Sequence, residues 1–200
     1  MRWCHYLALF FAGAFLANLV PHFSATAVTF AQQDDSTIIV PTEMCRGNFL
    51  IPLTLAPREG YAEDRTLWLL YDTGAGATYI DPDSIERVTG RRLRVGQRPN
   101  IRNATAGAVN YDPIRIRIQE LDHLSHALGR QVDGIMGFTV FDDVLLTLDY
   151  SNDEMRLDRG QLPPPDGETV FDADGPNYLP WMTIEFSNRS QVMPALPDTA

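Results

Sequence analysis

The stretch that most constrains the chain is LWLLYDTGAGATYI, Leu67 to Ile80. An apolar, strand-like run ends on Asp72-Thr73-Gly74-Ala75, and a second short apolar run leaves it. Burial disfavours the charged form of an aspartate. A carboxylate at the end of a buried strand therefore needs compensating donors or a chemical use. The same residue types also suit an ordinary β-turn between two hairpin strands. This stretch alone leaves both readings open.

Two hundred residues allow one medium domain with additions at either end. Hydrophobic residues at 44% and charged residues at 21% are enough for a real core. Acidic residues outnumber basic ones 26 to 16, for a net charge of −10, which argues against general nucleic-acid binding and suits an exported or cell-surface protein. All the basic residues are arginine, and the absence of lysine excludes Schiff-base chemistry and the phosphate-loop lysine. Of the two cysteines, Cys4 falls in a segment expected to be removed, which leaves Cys45 without a partner. No disulfide framework, thiolate metal site or cysteine nucleophile is expected.

Met1 to Ala31 reads as an export signal. Arg2 and His5 precede an apolar run from Tyr6 to Val20, and both Ala25-Thr26-Ala27 and Thr29-Phe30-Ala31 offer a cleavage pattern. The run is shorter than the roughly 20 residues of a bilayer span, so cleavage is favoured over a stable membrane span, with an uncleaved anchor as the alternative. In either case the working part faces outside the cytoplasm. Residues 32–46 read as a flexible lead-in, residues 47–158 as a folded lobe, and the Pro/Gly-rich residues 159–177 as a linker.

Within the lobe, Asn48 to Ala56 and Thr66 to Tyr71 read as a hairpin that delivers Asp72. Asp81-Pro82-Asp83-Ser84 starts a short helix, about Asp83 to Thr89, closed by Gly90. The five arginines between Arg91 and Arg102 have no aromatic residues among them to stack on bases, so they read as a solvated strand-and-loop face. Ala104-Thr105-Ala106-Gly107-Ala108 suits a mobile hairpin tip, and the strict alternation of Ile114 to Ile118 marks a half-buried strand. His123 and His126 lack a third ligand and read as part of a surface loop, so no metal site is expected. Asp133-Gly134-Ile135-Met136-Gly137 reads as a strand end, Phe138 to Asp143 as a short helix, and Val144 to Tyr150 with Glu154 to Leu157 as a hairpin. The DYSND run lacks the glycine and distal glutamate of a calcium loop.

Residues 178–200 echo the opening of the lobe. Met182 to Phe186 matches the first strand and Val192 to Leu196 the second, and Asp198-Thr199 aligns with Asp72-Thr73. Ala200 stands where Gly74 stood. This is the first hairpin of an incomplete second lobe.

Taken together, Asp72-Thr73-Gly74-Ala75, the Asp-Gly-Ile-Met-Gly segment that begins 61 residues later, and FTVFDDVLLTLDYSNDEMRL resemble the aspartic protease superfamily, in particular its retropepsin-like lobes. The resemblance covers about Asn48 to Leu157. It implies a mainly β, closed-barrel lobe with one or two short helices, followed by the start of a second repeat. It implies an exported endopeptidase without a cofactor, acting on peptide or protein substrates through a water activated by two aspartates. Asp72 would be one catalytic carboxylate, with Thr73, Gly74 and Ala75 supporting its loop. Asp133, Gly134, Ile135, Met136 and Gly137 would pack against that loop, and Ala104 to Ala108 would form the flap. One lobe supplies one aspartate, so the second comes from a homodimer partner or from Asp198. The incomplete second unit also motivates a different reading: a non-catalytic lobe serving as a peptide-binding or interaction module.

Overall fold

The computed structural model describes residues 28–30, 37–60, 65–141, 144–170, 182–185 and 192–195. Five strands come first: β1 (Val28–Phe30), β2 (Ile38–Val40), β3 (Glu43–Cys45), β4 (Asn48–Leu55) and β5 (Thr66–Asp72). They are followed by β6 (Thr78–Ile80), helix α1 (Pro82–Thr89), β7 (Asn100–Ile101), β8 (Ala104–Ala106), β9 (Val109–Tyr111) and β10 (Ile114–Ile118). Helix α2 (Asp122–Leu128), β11 (Gly134–Gly137) and a 3-10 turn (Phe138–Phe141) come next. The chain continues with β12 (Leu145–Asp149), β13 (Glu154–Asp158), β14 (Met182–Glu185) and β15 (Val192–Ala195).

The fold is mainly β, built on a curled half-barrel sheet. Its strand order is β1-β9-β8-β4-β5-β11-β6-β10-β7, with β3 paired to one end of β4. A smaller sheet, β12-β13-β2, stands beside it, and β14 pairs with β15. Most neighbours are antiparallel, but β11 runs parallel to β5, and β10 runs parallel to β6. β11 is thereby inserted between the two strands that flank the Asp72 turn.

Alternation along β5 decides which side chains face the main core. Leu67, Leu69 and Tyr71 point into it with Phe49, Ile51 and Leu53 of β4, and α1 adds Ile85 and Val88. Burying each leucine of that size contributes about 1.5–3 kcal/mol. The opposite face carries Leu50 and Leu70 with Val132, and Leu124 and Leu128 of α2 pack over them beside Trp68.

Helix α1 has the ends its sequence calls for. The Asp81 carboxylate accepts the N–H groups of Asp83 (2.9 Å) and Ser84 (3.4 Å), and Gly90 closes the helix in the left-handed region with φ 65°. Arg65, nearly buried, donates its Nε–H to the Val88 carbonyl at 2.8 Å and also bonds the Ala56 carbonyl. A cation there offsets the negative end of the helix dipole and ties the end of β4 to α1.

Several stretches differ from the sequence reading. The lead-in at 32–46 carries β2 and β3, because the β-branched run Ile38-Ile39-Val40 pairs with β13 and buries Val40. His123 and His126 lie on α2 and not in a loop, since Leu121, Leu124 and Leu128 supply a helical apolar stripe. The first strand, β1, falls inside the segment read as the export signal. Among the described residues, no helix is long and apolar enough to cross a membrane.

Candidate active site

Asp72 is the last residue of β5, and Gly137 of β11 lies opposite it. The turn that follows folds back on the aspartate. The Gly74 N–H donates to Asp72 Oδ1 at 2.6 Å, and the Ala75 N–H reaches the Asp72 carbonyl at 3.3 Å. Asp72 is half-buried, Thr73 is buried at 8% exposure, and Ala75 is buried beneath them. A carboxylate accepting a short backbone N–H bond is held in one orientation while part of it still meets solvent.

The loop is clamped from the other side by β11. A side chain at Gly137 would place its Cβ 2.4 Å from the Ala77 carbonyl oxygen and 2.5 Å from that of Ala75. At Gly134 it would meet the Tyr79 carbonyl oxygen at 2.1 Å. Only glycine admits so close an approach of backbones. The Phe138 N–H bonds the Ala75 carbonyl at 3.1 Å, and the Gly137 N–H faces the Thr78 hydroxyl at 3.4 Å. Met136 is buried in the main core and Ile135 half-buried. Asp72, Thr73, Gly74 and Ala75 are thus brought together with Gly134 to Gly137.

Asp133 holds this assembly from below. It is 1% exposed and accepts four donors: the Trp68 N–H on Oδ2 at 2.8 Å, and on Oδ1 the Ser84 hydroxyl at 2.7 Å, Arg87 Nη2 at 2.8 Å and Gln131 Nε2 at 2.8 Å. Its own N–H bonds the Trp68 carbonyl at 2.7 Å, and its carbonyl accepts the Asp81 N–H at 2.9 Å. One residue therefore joins β5, the start of α1 and the strand that clamps the Asp72 turn. Ser84, Arg87 and Gln131 were not singled out by sequence. Ser84 and Arg87 stand three apart on α1, which puts them on one helical face, and that was the available signal.

Ala104 to Ala108 lie on a hairpin, with β8 leading into an exposed turn at Gly107 and Ala108. Ala104 and Ala106 are buried in β8, which pairs with β4 on one side and β9 on the other. Gly107 and Ala108 are exposed at the turn, but a Cβ on Gly107 would come 2.8 Å from the Pro41 ring. Its inner residues are small because they fill the core. Asp198 lies outside the described residues. Among the described residues no group of three or more His, Cys, Asp or Glu side chains converges on one point. The arginines at 91, 92, 94, 98 and 102 are exposed, on the strand-and-loop face beside β10.

The fold is a mainly β lobe built on a curled half-barrel sheet, with two short helices among the described residues. A solved retropepsin-like aspartic protease from Rickettsia conorii is similar to the chain, at 13% identity and a TM-score of 0.43, over 69% of this chain and 96% of that one. No protein-family model and no curated protein sequence matches the chain.

Proposed function

We propose that the chain is an exported aspartic-type endopeptidase in which Asp72 is one of two paired carboxylates. The observation that carries this is the Asp72 turn itself: a half-exposed carboxylate, fixed by the Gly74 N–H at 2.6 Å and clamped by two glycines of β11. Such a turn holds the carboxylate in one orientation while the residue stays partly exposed.

Two such carboxylates placed together cannot both ionise cheaply, so they share one proton. The ionised partner takes a proton from the bound water as its oxygen attacks the peptide carbonyl, and the protonated partner donates to the carbonyl oxygen. The tetrahedral species then collapses: the C–N bond breaks, the amine leaves with a proton, and no acyl-enzyme forms. The described lobe supplies one Asp-Thr-Gly, so in this reading a second copy of the chain completes the pair. The lobe's likeness to retropepsins supports that arrangement, and the N-terminal apolar run supports export.

The test is a peptide-hydrolysis profile against pH on the exported chain, with an Asp72→Asn control and a measured molecular mass. Acid-favoured hydrolysis by a dimer, lost in the variant, supports the proposal. Equal hydrolysis by both proteins overturns it, and a monomer that binds peptide without turnover identifies a non-catalytic lobe instead.

A further inference from the structure

The sequence offers two processing sites four residues apart, after Ala27 and after Ala31. The fold distinguishes them. Val28, Thr29 and Phe30 form β1 and pair antiparallel with Tyr111, Asn110 and Val109 of β9. β1 is the terminal strand of the ten-stranded sheet, and the other edge of β9 is taken by β8. Processing after Ala31 would remove the whole of β1 and leave β9 as an open edge, with unpaired N–H and C=O groups that invite pairing with other chains. Processing after Ala27 leaves β1 intact and makes its first residue the start of the mature protein. An N-terminal segment held as a sheet strand is tied down against fraying.

We infer that the leader is removed by hydrolysis of the Ala27–Val28 peptide bond, so that Val28 is both the mature N-terminus and the first residue of the sheet. The inference rests on the export reading given above. Ala25 and Ala27 supply the small residues that a leader-removing endopeptidase accepts on the acyl side of the bond. Water adds across that bond, giving a carboxylate on Ala27 and a new amino group on Val28. The consequence for the site is local. The β8–β9 hairpin, which carries Gly107, stays enclosed between β4 and β1 in the mature protein.

The experiment is to express the full 200-residue chain in an exporting host, recover it from the exported fraction, and read its N-terminus by intact mass and terminal sequencing. A start at Val28 is expected. A start at Gln32 overturns the inference and leaves export standing, an exported chain that still begins at Met1 overturns it in favour of an uncleaved anchor, and no exported chain removes the export reading as well. Two variants sharpen the result: Ala27→Arg is expected to abolish the Val28 start, and Ala31→Arg to leave it unchanged. The opposite pattern overturns the inference.

Discussion

Asp72 ends β5 and Asp133 immediately precedes the neighbouring strand β11, and their surroundings are opposite. Asp133 is 1% exposed, with Arg87 and three further donors on its two oxygens. Asp72 is half-buried on a turn, oriented by the Gly74 N–H. A carboxylate whose lone pairs are filled by protein donors fixes structure and has little capacity left for a substrate. One that is aimed but partly open to solvent can take a proton from water. The two carboxylates thus differ in burial: one is sealed inside the lobe and the other stays partly open to solvent.

The largest test of that contrast is Asp72→Asn. Hydrolysis is expected to fall by on the order of 10³-fold or more, while the melting temperature stays close to wild type. A large loss of stability would place Asp72 with Asp133 as a structural residue. Asp133→Ala reverses the pattern. It unpairs three donors and leaves the Arg87 guanidinium only the Thr66 carbonyl, so denaturant unfolding is expected to show a loss of about 3–5 kcal/mol. Gly137→Ala lies between the two, since its Cβ would press on the Ala75 and Ala77 carbonyls. Displacing that backbone is expected to cost about 1–3 kcal/mol and to lower kcat through the shifted Asp72 turn. Unchanged kcat at reduced stability would break the link between clamp and chemistry.

A buried polar group without partners gives the converse case. The Tyr111 hydroxyl is buried and has no hydrogen-bond partner among the described residues, and burial pushes its pKa up. Tyr111→Phe removes the unpaired group, keeps the ring against Phe141, and is expected to leave stability unchanged or raise it by about 1 kcal/mol in denaturant unfolding. The smallest effect is at Asp149, half-buried at the end of β12. Its carboxyl is held below its ordinary pKa by the Asn152 side chain first, with the Ser151 and Asn152 N–H groups and Arg156 adding to this. A lowered folded pKa contributes stability that is complete above the ordinary carboxylate range near pH 4 and is lost as pH falls through the folded value. The melting temperatures of wild type and Asp149→Ala are therefore expected to differ slightly at pH 6 and to converge in strong acid.

Much of the frame could be read from local chemistry. The β4–β5 hairpin, the α1 caps at Asp81 and Gly90, the alternation of β10 and the glycines of β11 each follow from residue type and spacing alone. What could not be read depends on distant partners. The short strand β2 gains its place from β13, and α2 from the apolar patch on β4 and β5. The role of Asp133 needed Ser84 and Arg87, whose approach is visible only in the folded chain. The alanines at 104 and 106 looked like tip residues because small side chains serve loops and tight cores equally well.

The parallel pairing of β11 with β5 has a consequence in time as well as space. Asp133 bonds Trp68 across 65 positions of sequence, and Gly137 meets Asp72 at a similar separation. Contacts that distant form late, because loop closure precedes any gain from them. A chain emerging from synthesis therefore holds Asp72 on an unbraced turn until residues 133–137 arrive. The geometry around that carboxylate is complete only when the lobe is nearly whole.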